Sequence, residues 1–483
     1  MSSFNRRILT GTLWSILGQG GTLSIGLVAN IILARVLTPY EFGQIGIIMF
    51  FIILANVFAE SGLGGALVRK MEVTKEDYAT AFTFNFIFSL FCFILLVLFS
   101  GEVADYYKDK AIQNILIVSG IILIINNFQF IQNIDMMRGM KYKNIAKYRF
   151  IGVLLSSSIG VFLAFYEFGV WSLVIMQLLS ATFTTILICF YEGIFFSFAF
   201  NKKSFKELYA FGINTTLASL LNTVFENIYQ LILGRYFSIN HVGLFYQAKK
   251  LQEVPIGIIN MTTQSVIFSS LSKLQDEKAV FIKTYNKIVL LLTVIVGAIT
   301  AFIYLYSENI IMLLYGIKWI DSVFYMKLLS IASFFYMQEM FNRVIFKVFN
   351  QTQKILYLEI LKKSIQMITI VIGVVMLDLK VLLFGFVITS IVSYFINFFY
   401  SRKILGNISF YELVVVFKVI LSAILTIGCI NLLVSFFEFK GLYFLISIPI
   451  FLLLYLFMVQ KIGVINIKDE YLVMINMLRN NKI

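Results

Sequence analysis

The chain has 483 residues, of which 60% are apolar and 13% charged, and it carries a formal charge of +14. No stretch is polar enough to form a separate soluble domain, so the function must be one that a set of membrane helices can perform. With a single histidine (His241, expected in an outer loop) and three widely separated cysteines (Cys92, Cys189 and Cys429), a histidine-based metal site, a catalytic triad and a disulfide framework are excluded.

A helix needs roughly 20 mainly apolar residues to cross the hydrocarbon core. Segments of that length are expected at 10–36, 42–68, 78–100, 111–134, 145–166, 168–191, 207–236, 242–272, 281–305, 322–349, 355–377, 379–400, 412–436 and 440–460. They are continuously apolar rather than alternating, so they read as helices and not as strands of a barrel. The break between Tyr166 and Val170 is the least marked. The first stretch is too long for a signal-peptide core and no small-residue cleavage site follows it, so no cleavable leader is expected. The fold class is therefore an all-α polytopic membrane protein of about fourteen transmembrane helices.

Basic residues cluster in every second connection. Arg6 and Arg7, then Arg69, Lys70 and Lys75, then Arg138, Lys141, Lys143, Lys147 and Arg149 open one set. It continues through Lys202, Lys203 and Lys206 to Arg343, Lys347, Lys354, Lys362 and Lys363, and then to Arg402 and Lys403. The alternate connections hold few. Basic loops stay in the cytoplasm, which places both termini there. The positive charge is thus an orientation signal, favourable for anionic membrane lipids, and not a nucleic-acid footprint.

Residues 32–43 (ILARVLTPYEFG) and 232–243 (ILGRYFSINHVG) share Ile, Leu, Arg and Gly at an offset of 200. An offset of six helices keeps both copies in one orientation, which predicts two six-helix halves related by an axis along the membrane normal. The expected domains are 1–200, 201–403 and a final pair of helices with a tail at 404–483.

LARVLTPYEFG, the following AESGLGGALV, then VGLFYQAKKLQEVP and LLYGIKW resemble the polysaccharide transporter (Wzx-type flippase) branch of the multidrug/oligosaccharidyl-lipid/polysaccharide superfamily. The resemblance implies two six-helix bundles around a central cavity plus two peripheral helices. It also implies movement of a polyprenyl-diphosphate-linked oligosaccharide from the inner to the outer leaflet of a bacterial plasma membrane. Polysaccharide polymerase machinery would be a partner. With no GxxxxGK[ST] loop, a proton or sodium gradient is the expected driver rather than ATP. No cofactor is expected. A cation-coupled multidrug antiporter and a peptidoglycan-precursor lipid flippase of the same superfamily are the alternatives. An enzyme is disfavoured, because the loops are too short to hold catalytic groups.

A diphosphate headgroup cannot cross hydrocarbon unaided, so ionisable residues within the segments are the candidate site. Lys249 and Lys250 precede Pro255, expected to kink the helix, and Glu253 is spaced to pair with Lys249. The two lysines either attract the diphosphate or sit in the headgroup zone before a helix that starts near Val254. Arg35 and Arg235 occupy matching positions; they either meet near the axis and contact substrate or snorkel to water. Glu339 and Arg343 are four apart, fit to pair, and either line the cavity or lock helices together. Arg343 joins the four other cations as a candidate substrate contact. Glu60, beside a run of small residues, Glu226 and Glu339 are candidates for ion coupling. Gln19, Asn30, Asn56, Asn214, Asn222, Asn227 and Gln264 are candidates for hydrogen bonds to sugar hydroxyls or merely bridge helices.

Overall fold

In hydrocarbon every backbone N–H and C=O must be bonded within the chain, and a helix does this with its own residues. The computed structural model describes residues 3–60, 62–194, 197–406, 409–437 and 444–465, which are helical almost throughout, with no strand among them. The helices are α1 (Ser3–Val36), α2 (Pro39–Glu60), α3 (Leu63–Arg69), α4 (Lys75–Tyr107), α5 (Ala111–Arg138), α6 (Tyr142–Phe165), α7 (Val170–Glu192), α8 (Lys202–Tyr236) and α9 (Ile239–Thr262). There follow α10 (Phe268–Ser272), α11 (Lys278–Leu305), α12 (Ser307–Leu314), α13 (Ser322–Val348), α14 (Thr352–Val375), α15 (Leu379–Leu405), α16 (Tyr411–Phe437) and α17 (Phe444–Lys461).

The described part of every expected apolar segment is helical almost throughout, although 42–68 and 242–272 are each divided between more than one helix; residues 440–443 of the last segment lie outside the described residues. Among the described residues, nine helices are long and apolar enough to cross a membrane, and α17 is a shorter apolar one. The long helices outside that group are α8, α9, α13 and α14. They hold Glu226, Arg235, Lys249, Lys250, Glu339 and Arg343 of the residues singled out above for chemistry, while Arg35 and Glu60 lie on α1 and α2.

Local departures have physical causes. The second expected segment is split in two: α2 stops at Glu60, and Gly62 adopts a left-handed φ of 66° before α3 begins. Between α6 and α7 the break is real. Glu167 and Gly169 both have positive φ, and the amide of Phe168 donates back to the carbonyl of Leu163 at 3.2 Å. Helix α9 starts at Ile239 and continues through Pro255, so His241, expected in an outer loop, lies in its first turn, and of the two placements left open for Lys249 and Lys250 they take the one inside the helix. The irregularity expected at Pro255 comes instead as a π-helical turn at Thr263–Ile267, just before α10.

The chain forms two compact units. The first runs up to Tyr246 and includes Leu314–Lys318; the second holds Gln247–Leu313 and the chain from Trp319 onward. Helix α8 packs on α2, α3 and α4 within the first unit. In the second unit, α16 and α17 contribute Val415, Val419, Tyr455 and Val459 to the core that Phe281, Phe341 and Phe398 also build.

The repeat at offset 200 meets itself in space. A Cβ added to Gly43 would stand 2.0 Å from the carbonyl oxygen of Ile239, and one added to Gly243 would stand 1.8 Å from that of Pro39. The starts of α2 and α9 therefore touch backbone to backbone, and the contact is reciprocal. Residue 43 meets 239 and residue 243 meets 39, the pairing that a local two-fold relation generates. Only glycine permits that approach. Gly43→Ala and Gly243→Ala are each expected to destabilise the purified protein by about 1–3 kcal/mol or more through overpacking. Gly428→Ala, whose Cβ would meet nothing within 4 Å, is the control. Thermal denaturation in detergent checks this, and melting curves unchanged in all three variants would overturn the contact.

Candidate functional site

The first unit encloses a cavity of about 920 Å³ lined by side chains of α1, α2, α3, α5, α6 and α7. One wall is an amide row on α5. Asn126, Gln129 and Asn133 follow the i, i+3, i+7 spacing that puts them on a single helix face. Asn133 Nδ2 donates to Gln129 Oε1 at 3.2 Å, and Gln129 Nε2 donates to Asn126 Oδ1 at 3.1 Å. Asn56 of α2 and Gln177, Ser180 and Thr184 of α7 extend the polar lining.

Charge enters from three directions. Glu60 ends α2, keeps an exposed surface toward the cavity, and has no hydrogen bond or ion pair among the described residues. Gly62, in the left-handed conformation, precedes α3, whose last residue, Arg69, lines the cavity. Arg149 reaches it from α6. The end of α3 is held in place by Arg138, whose guanidinium donates to the carbonyls of Leu67 at 2.6 Å and Met71 at 3.0 Å. Lys70, next in the chain, bridges Asp77 at 2.9 Å and Glu207 at 3.2 Å. Its hydrogen bond to Asp77 raises its pKa above the ordinary lysine value, so it stays charged at neutral pH. The cavity thus combines two guanidiniums, one carboxylate and a set of amides, which suits a polar ligand with a net negative charge.

The second unit has two buried polar clusters. In one, Arg343 of α13 contacts Glu339 at 2.5 Å and Glu359 of α14 at 2.6 Å. Lys362 of α14 contacts the same two carboxylates at 2.8 and 2.6 Å. The other centres on Glu412 of α16. Its carboxylate pairs with Arg402 and accepts hydrogen bonds from Asn342 Nδ2 at 2.7 Å, Tyr394 Oη at 3.1 Å and Tyr285 Oη at 3.2 Å. That cluster ties α11, α13, α15 and α16 together. Among the described residues no three His, Cys, Asp or Glu side chains gather as metal ligands.

A family model described as "Polysaccharide biosynthesis protein" matches residues 32–324. The chain belongs to this family. The membership agrees with the resemblance read from the four sequence motifs. Relatives of the family member include an uncharacterized membrane protein in the cps region of Klebsiella pneumoniae, 21% identical over 68% of this chain and 69% of that one. The teichuronic acid biosynthesis protein TuaB of Bacillus subtilis is 20% identical over 69% of each chain. The lipopolysaccharide biosynthesis protein WzxC of Escherichia coli is 20% identical over 68% of each. Among solved structures, the lipid II flippase MurJ in an inward closed conformation is similar, with a TM-score of 0.75 at 16% identity over 92% of this chain and 97% of that one. An inward-facing multidrug transporter of the MATE family, of the MOP superfamily, gives 0.61 at 18% identity over 80% and 94%. Those similarities fix the fold of the family member as that of polytopic all-α membrane proteins.

Of the expected site residues, the first-unit cavity takes Glu60 and Asn56 and leaves Glu226 outside it. Arg35 and Arg235 hold backbone. Arg35 Nε donates to the carbonyl of Leu314 at 2.9 Å, and Lys318 Nζ donates to the carbonyl of Arg35 at 2.7 Å. Arg235 donates to the carbonyl of Tyr106 at 2.6 Å and stacks over its ring at 4.4 Å. Lys250 pairs with Glu253 at 3.4 Å, a half-exposed pair. Glu339 and Arg343 do pair, and the pair is half of a four-charge cluster. Asn30 accepts from Tyr315 Oη at 3.3 Å, Asn227 donates to the carbonyl of Thr223, and Gln264 accepts from Lys347 at 2.9 Å, so these amides bridge helices or turns. The side chain of Asn214 lies outside the described residues. Arg69, Arg149, Glu359, Lys362, Arg402 and Glu412 were not expected at polar clusters. A signal for the α5 wall was present: Asn126, Gln129 and Asn133 stand at helical spacing in an amide-rich stretch that also holds Asn127 and Gln132.

Arg402→Ala leaves the Glu412 carboxylate buried without its cation and is expected to destabilise by about 3–5 kcal/mol. Lys250→Ala, at a half-exposed pair, is expected to cost no more than about 1 kcal/mol. Chemical or thermal denaturation in detergent compares the two, and equal losses would mean that the Glu412 network is not the clamp described.

Proposed function

We propose that the protein is a flippase. It moves a polyprenyl-diphosphate-linked oligosaccharide from the cytoplasmic to the outer leaflet of a bacterial plasma membrane for surface polysaccharide biosynthesis. The observation that supports this reading is the first-unit cavity, a polar, guanidinium-bearing volume among helices apolar enough to span a membrane. A diphosphate-sugar in hydrocarbon lacks hydrogen-bond partners and counter-charge, and this lining supplies both. Family membership supports the pathway, as do the lipopolysaccharide and teichuronic acid functions for which two relatives are named. The named lipid flippase among the structural neighbours supports a lipid-linked cargo.

In this reading Arg69 and Arg149 take the diphosphate, the α5 amides take sugar hydroxyls, and Glu60 carries the coupling proton or sodium ion. Lys249 and Lys250 remain candidate substrate contacts. Arg35 and Arg235 are assigned to holding the backbone at the ends of α1 and α8. Alternating access between two six-helix halves, both termini in the cytoplasm, and handover to a polymerase complete the proposal.

In proteoliposomes, exposure of a labelled polyprenyl-diphosphate oligosaccharide to an external hydrolase is expected to require the protein and to rise with an imposed proton or sodium gradient. Arg149→Gln and Glu60→Gln are each expected to slow it about tenfold or more without changing the melting temperature. Efflux of cationic dyes with no lipid exposure would replace this reading with that of a drug antiporter.

A further inference from the structure

The four-charge cluster of the second unit is more than a pair of ion pairs. Arg343 Nη2 and Lys362 Nζ both contact the same two oxygens, Oε1 of Glu339 and Oε1 of Glu359. Each oxygen is shared by a guanidinium and an ammonium. Oxygens of a phosphate group engage Arg and Lys in the same way, the guanidinium as a planar fork and the ammonium as a point charge.

The two carboxylates are not equivalent. The side chains of Glu339 and Lys362 are each 4% exposed, whereas Glu359 is 18% and Arg343 28% exposed. Glu339 is the fixed inner counter-ion. Glu359 is the outer one, and it sits one turn from Lys362 on the same helix, so a rotamer change withdraws it without moving α14. A helix staple alone is a weak reason for such a cluster, because well-packed apolar residues commonly stabilise a buried site as well or better.

We infer that Arg343 and Lys362 form a diphosphate-binding site and that Glu359 occupies the phosphate position while the site is empty. Bound diphosphate displaces the Glu359 carboxylate and keeps Glu339 as inner counter-ion. The inference rests on the flippase reading only for the lipid that carries the diphosphate; the recognition chemistry stands by itself.

Binding is measured by titration calorimetry on the full chain in lipid nanodiscs. One arm uses inorganic pyrophosphate and the other an isoprenyl diphosphate inserted in the bilayer. Glu359→Gln removes the competing internal anion and is expected to tighten diphosphate binding about tenfold or more over wild type. Adding Arg343→Gln is expected to abolish the gain. A gain in the isoprenyl arm alone assigns the site to a lipid headgroup, and a gain in both arms assigns it to diphosphate in general. A folded Glu359→Gln protein that gains nothing in either arm overturns the proposal, since a purely structural cluster would lose stability without gaining affinity. If Glu359→Gln does not fold, Glu359→Asp, with its carboxylate drawn back by one methylene, is expected to give a smaller gain in the same direction, and no gain there is equally decisive. Tightened binding without lipid exposure in proteoliposomes would leave this site standing and remove the flippase reading; exposure without tightening would do the reverse.

Discussion

A charge taken out of water into a low-dielectric interior costs several kcal/mol or more unless it is paired or faces water. Three groups of ionisable residues among the described helices meet that cost in different ways. Glu60, Arg69 and Arg149 face a cavity of about 920 Å³. Glu339, Arg343, Glu359 and Lys362 neutralise one another within a few ångströms. Glu412 is surrounded by Arg402, two tyrosines and an asparagine. The environments differ in what they offer a ligand. The first lines an open polar volume, the second is a compact set of four charges in mutual contact, and the third is sealed within the core of the second unit.

Interruptions of regular helix place the chemistry. The left-handed turn at Gly62 ends one helix at Glu60 and starts another that delivers Arg69, so a carboxylate and a guanidinium nine residues apart both reach one cavity. A continuous helix would spread those two residues along its length. The glycines at 43 and 243 act differently: they remove side chains where two backbones must touch, and they turn a weak sequence echo into a reciprocal contact.

The helices were legible because hydropathy is a local signal tied to bilayer thickness, and the apolar runs map onto helices apart from the breaks near Gly62 and after Thr262. Glu60 and Asn56 were legible for a related reason, since a polar residue in an apolar run is conspicuous. Lys362, Arg402, Arg69 and Arg149 were not. Arg69 and Arg402 lie in the last turns of α3 and α15, and Arg149 and Lys362, inside α6 and α14, follow runs of basic residues and were counted with them as loop cations, the ordinary orientation signal. Glu412 lies in the first turn of α16, where a carboxylate is unremarkable, and Glu359 lies two turns into α14 among the basic residues of that stretch. Spacing along one helix correctly suggested Glu339 with Arg343, yet it carries no information about what a neighbouring helix brings.

By itself, then, the sequence determined the solvent this protein lives in, the helical class, the approximate helix ends and an internal repeat, because these depend on residues near one another in the chain. Tertiary structure alone decided which charges share a carboxylate oxygen, which amides form one wall, and that the two copies of the repeat touch at Gly43 and Gly243. Those outcomes depend on which helix faces meet, and a pairing between α13 and α14 or between α15 and α16 is set by packing and electrostatics in three dimensions rather than by any local propensity.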